Sequence, residues 1–186
     1  MVSSNTLHVV STELTVGSFA MAGAAFLCAG LASHHRLGMQ RHLNLFDHVA
    51  HFALAFGLLA MPMAIATGIA SSPGDGIDHP LLINKMFLSC ASLGLALGVL
   101  SVRWQQGSTI WAEEWGKRWQ MLGGMAASGL ILTTASLGGT FSLGQSLLAM
   151  LHLPYACVPR LPSWLPGLSL RSSRPPLFTG RQGSAC

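Results

Sequence analysis

Apolar residues along this chain gather into long unbroken stretches rather than alternating or striped patterns. Four stretches, at about 9–31, 46–70, 80–102 and 119–143, carry few charges. Each exceeds the roughly 18 apolar residues that mark a membrane-span candidate, because a helix rising about 1.5 Å per residue needs roughly 20 to cross a hydrocarbon layer of about 30 Å. A helix apolar all round, with no polar face, is expected where no side meets water. The pattern therefore predicts an all-α, polytopic membrane protein, a four-transmembrane-helix bundle over residues 1–145. Residues 146–186, rich in proline and arginine and without a sustained period, are expected to form a disordered tail.

Composition sharpens this reading. Apolar residues make up 51% of the 186 positions and charged residues only 9%, with a mean hydropathy of +0.51. Soluble domains carry about 25% charged residues. So sparse a set cannot cover a water-facing surface. The lipid bilayer is the expected surrounding, and a multi-pass protein of the cell membrane the expected localisation. Residues 1–12 hold no Lys or Arg, and Glu13 interrupts the first apolar run. A cleavable signal peptide would open on positive charge, so the first stretch reads as a retained span.

The basic residues report orientation. Arg36 and Arg41 lie between spans one and two, and Arg103, Lys117 and Arg118 between spans three and four. The N-terminal segment and the loop between spans two and three, "SSPGDGIDH", have none. Short loops rich in Lys and Arg stay on the cytoplasmic side, so both termini are expected to be non-cytoplasmic. The net charge of +4 follows from topology, and no nucleic-acid partner is implied. Trp111, Trp115 and Trp119 recur every four residues, which predicts a short interfacial helix carrying them as one stripe. Gly94 and Gly98 form a GxxxG, with further small residues in spans one and four. Such residues let helix backbones approach closely in lipid. Cys28 and Cys90 read as small packing residues, and Pro62 as the site of a kink in span two.

Ionisable residues inside apolar spans are functional candidates. Glu13 and Lys85 lie at matched depth, each roughly 6–8 Å inside the non-cytoplasmic face, and are a candidate ion pair. His8 and His79, at the mouths of the same spans, are candidate cofactor ligands, with a b-type haem the candidate group. Asp47, His48 and His51 stand at the opposite face. Their i, i+3 and i+4 spacing suits a transition metal, to which His34, His35 and His42 could add. The plainer account makes Asp47 a first-turn acid behind an Asn44 cap, and the histidines interfacial polar groups. Walker, HExxH and GxSxG motifs are absent from the sequence, so no catalytic residue is assigned and the chain is expected not to be an enzyme by itself.

The segment "AIATGIASSPGDGIDHPLLINKMFLSCASLGLALGVL" joins a span ending in Thr-Gly to a short acidic loop, with His79 and Asn84 opening the next span. Span four ends in Leu137-Gly138-Gly139, and span one opens with His8. This pattern resembles a four-helix bacterial and archaeal membrane domain of unknown function, sometimes found ahead of Rieske-type iron–sulfur domains. The resemblance covers about residues 7–145. It implies a four-span bundle and a place in redox membrane complexes, with its histidines carried over onto His8 and His79 alone. No iron–sulfur ligand motif follows span four here. The resulting expectation is a membrane subunit or accessory protein of an electron-transfer complex, haem- or quinone-associated, with other redox subunits as partners. The alternatives are a small transporter or metal-handling protein using Asp47, His48 and His51, and a structural subunit without chemistry.

Overall fold

A computed structural model of the chain describes residues 4–33, 40–71 and 80–143. The expected tail at 146–186 lies outside them, as do His34, His35 and His79. The described residues form four long helices: α1 (Ser4–Ala32), α2 (Leu43–Ser71), α3 (Pro80–Gln106) and α4 (Glu114–Leu143). Each contains a stretch long and apolar enough to cross a membrane. The four apolar runs of the sequence fall inside these helices, which extend them by no more than about a turn and a half at either end.

The helix ends follow from local chemistry. The backbone N–H and hydroxyl of Ser33 close the last turn of α1 on the carbonyls of Ala29 and Gly30, at 2.9 and 2.6 Å. Pro80 opens α3, where the missing N–H would have had no helical partner. Gly107 ends it with φ of +62°, the left-handed conformation that glycine adopts without a Cβ clash. The chain then makes a 3-10 helix, Gly107–Trp111, and enters α4 at Glu114, whose carboxylate accepts from Lys117 at 2.6 Å. Gly116 permits this turn, because a Cβ there would lie 2.7 Å from the Ile110 carbonyl oxygen. The interfacial helix expected from the tryptophans is thus divided between this 3-10 turn and the start of α4. Trp115 and Trp119 share an exposed face in edge-to-face contact, while Trp111 turns inward and is buried. A spacing of four aligns residues only inside one continuous helix, and the helix begins after Trp111.

Packing runs around a ring: α1 lies along α2 and α4, α3 along α4, and α2 and α3 touch least. Small side chains fill the interior, with Ala22, Ala29, Ala50, Ala96 and Ala127 fully buried around Phe19, Phe26 and Leu54. Large apolar ones point out: Leu59 is 80% exposed, Phe52 75% and Ile69 68%. A water-soluble fold would invert that distribution. Glycines set the closest approaches. Gly124 receives the Phe26 ring, Gly57 receives Phe19, and Gly23 faces Ser128. The GxxxG pair does not take part, since added Cβ atoms at Gly94 and Gly98 would meet nothing within 4 Å. Cys90 is likewise exposed rather than packed. The helix α2 continues through Pro62 to Ser71.

Candidate functional sites at the two ends of the bundle

At one end the structure gathers Asp47, His51, Arg103, Trp111 and Gln120 from α2, α3, the 3-10 turn and α4. Asp47 is 1% exposed. Arg103 donates to it through Nε, 3.1 Å from each carboxylate oxygen, and through Nη2, 2.6 Å from Oδ2. Trp111 Nε1 donates to Oδ1 at 2.7 Å. His51 Nδ1 lies 2.7 Å from the Asp47 carbonyl oxygen and 3.1 Å from Oδ1. The other ring nitrogen, Nε2, is 2.9 Å from Gln120 Oε1, and Gln120 Nε2 donates to the Val99 carbonyl at 3.2 Å. The Phe26 ring meets the imidazole edge-on, with centroids 5.0 Å apart. Both imidazole nitrogens face oxygens, and the carboxylate faces donors.

This arrangement corrects two expectations. Asp47 is no isolated first-turn acid behind an Asn44 cap, because the helix already begins at Leu43; its carboxylate serves a tertiary network. The metal triad does not assemble either. His48 is exposed and bonded through Nδ1 to the Asn44 carbonyl at 2.6 Å, while His42 pairs with Arg41 at 2.9 Å. Three residues apart on a helix, His48 and His51 diverge enough for only one to turn inward. A cation at Asp47 would have to displace Arg103, and among the described residues no group of three His, Cys, Asp or Glu is placed to hold a metal. Arg103, Trp111 and Gln120 were not singled out as site residues by the sequence. Arg103 and Asp47 nonetheless end and begin neighbouring spans at one face, the depth match applied to Glu13 and Lys85.

The opposite end is polar in a different way. The His8 Nδ1 lies 3.3 Å from Thr67 Oγ1, and the Ser11 hydroxyl 3.2 Å from the same oxygen. Each hydroxyl also donates to its own helix: Thr67 to the Met63 carbonyl at 2.7 Å, Ser11 to the His8 carbonyl at 3.1 Å. With the Thr67 proton so placed, its oxygen accepts from His8 Nδ1, which leaves Nε2 with its lone pair. The His8 ring packs against Gly68, where a Cβ would come 3.0 Å from Cε1. Asn84 is buried beside Lys85 in sequence. The Lys85 ammonium reaches towards α4, 3.0 Å from where a Gly138 Cβ would stand.

Glu13 takes no part in this end. The ion pairs among the described residues are Asp47–His51, Asp47–Arg103 and Lys117–Glu114, and the expected Glu13–Lys85 pair is not among them. Glu13 is exposed and lines a groove with Phe52, Ala53 and Phe56 of α2. Azimuth accounts for this: five residues from His8, the Glu13 side chain points about 140° away around α1.

No family model, curated protein or solved structure matches this chain.

Proposed function

We propose that the protein is a multi-pass membrane subunit of an electron-transfer complex that holds a redox cofactor, a b-type haem or a quinone, at the His8 end. The observation that supports it is the paired assignment of the His8 nitrogens. Nδ1 is held by Thr67, and Nε2 keeps its lone pair on a half-buried ring at the end of the bundle. A ring oriented by a hydrogen bond at one nitrogen is how histidine presents the other to a metal or a proton donor. Haem ligation by His8 Nε2 would fit this chemistry, with His79, which lies outside the described residues, proposed as the second ligand. Acceptance of a quinol hydroxyl fits it as well. The bound group would supply electron transfer. His8 would ligate or accept, Thr67 holds its ring with Ser11 beside the Thr67 hydroxyl, and Lys85 would supply positive charge at this end for an anionic or carbonyl oxygen of the bound group.

The Asp47 network supports a different role, as a fastener. It joins α2 to α3, the neighbouring pair with least packing of its own. One preparation of the full chain from membranes tests the reading, by optical spectrum and extraction of bound quinone. A Soret band lost in His8→Ala, or a stoichiometric quinone lost in the same variant, is the expected result. Wild-type protein carrying neither overturns it.

A further inference from the structure

We infer that the groove between α1 and α2 lined by Glu13 is a binding site for a lipophilic organic cation. The groove is open, with a volume of about 280 Å³, and is lined mainly by Leu14, Gly17, Met21, Phe52 and Phe56, with the Ser18 hydroxyl bonded back to the Leu14 carbonyl and Glu13 as its one charged group. Glu13 stands seven residues along the apolar segment Thr6–Ala32, which begins about three residues before the sequence-based stretch and so puts Glu13 about 10 Å from its start. A carboxylate at that depth on an outward face is unfavourable unless something neutralises it, and no described residue forms an ion pair with it. Phe52 and Phe56 stand nearly parallel, at 11° with centroids 6.3 Å apart, on the facing helix. A carboxylate, aromatic side chains and largely apolar walls together are the chemistry that recognises an onium ion carrying a hydrophobic body: the charge meets the carboxylate, and the body packs on the aromatic and aliphatic walls in place of lipid. A small inorganic ion would need the water or extra oxygen ligands that these walls do not offer. The site is separate from the His8 end and does not rest on the cofactor reading.

The backbone supplies a steric probe. Gly17 lines the groove, and a Cβ there would meet nothing within 4 Å, so the branch point of Gly17→Leu is accommodated and its side chain takes up groove volume. The experiment measures binding of tetraphenylphosphonium to the purified full chain in nanodiscs, against empty nanodiscs, with tetraphenylborate as the anion of like shape. Saturable phosphonium binding, weakened about tenfold or more in Glu13→Gln and in Gly17→Leu while the thermal midpoint is kept, is expected, with no saturable binding of the borate. Phosphonium binding absent, or unchanged in Glu13→Gln, overturns the inference. Equal binding of the borate overturns it too, since shape alone would then account for uptake. So does a co-purifying membrane protein cross-linked at position 13, because the groove would then be a subunit contact.

Discussion

At the residue scale the Asp47 carboxylate accepts from Arg103, Trp111 and His51, and each donor can be removed by itself. Arg103→Ala leaves the carboxylate buried without its main counter-charge. Breaking a buried pair from one side is destabilising by about 3–5 kcal/mol, and that loss is expected in unfolding measured in detergent micelles. Trp111→Phe keeps the ring and deletes one hydrogen bond to a charged acceptor, an expected loss of about 1.5–3 kcal/mol. The double change Asp47→Ala with Arg103→Ala should fall well short of the summed single losses, because neither partner is then stranded. His48→Ala should move stability by no more than about 0.5 kcal/mol, since that ring is exposed and bonded only within its own turn. A loss as large as that of Arg103→Ala would return His48 to the cluster. The chemistry of this site was half legible. Asp47 and His51 stand out in sequence as polar groups at the head of an apolar run, whereas Trp111 and Gln120 reach them only through the turn at Gly107 and the crossing of α4.

At the element scale the glycines separate into those that are packed upon and those that are not. Gly124 sits under the Phe26 ring at the α1–α4 crossing, and Gly94 faces open space on α3. Alanine in a helix is favoured over glycine by about 1 kcal/mol, so Gly94→Ala should leave the thermal midpoint unchanged or raised. Gly124→Ala should lower it, because displacing a buried ring overpacks the core by about 1–3 kcal/mol, which outweighs the propensity. The opposite ordering would mean that α3, not α1, packs through its glycines. Sequence spacing could not make this distinction. Gly94 and Gly98 are four apart and satisfy the motif, but the motif requires a facing helix, and which azimuth of α3 meets α4 is set by contacts such as the Ser92 hydroxyl on the Ala127 carbonyl at 2.8 Å.

At the scale of the whole molecule the expected orientation can be measured directly. In a chain free of native cysteines, Ser72→Cys should be labelled by a membrane-impermeant thiol reagent on intact cells, and Ser108→Cys only after permeabilisation. Ser108 is exposed, so a cysteine there can react with the reagent once it has access. The reversed pattern would place the His8 end on the cytoplasmic side. The existence of four helices, their approximate limits and their apolar surfaces were determined by the sequence alone, because length and hydropathy are properties of each segment taken singly. Pairing belongs to the tertiary structure. Whether Asp47 meets a metal or Arg103, and whether Glu13 turns to Lys85 or to a groove beside Phe52, depends on the rotation of each helix about its axis. In a chain apolar on every side no hydrophobic stripe records that rotation, so the close packing of small residues and a few hydrogen bonds decide it.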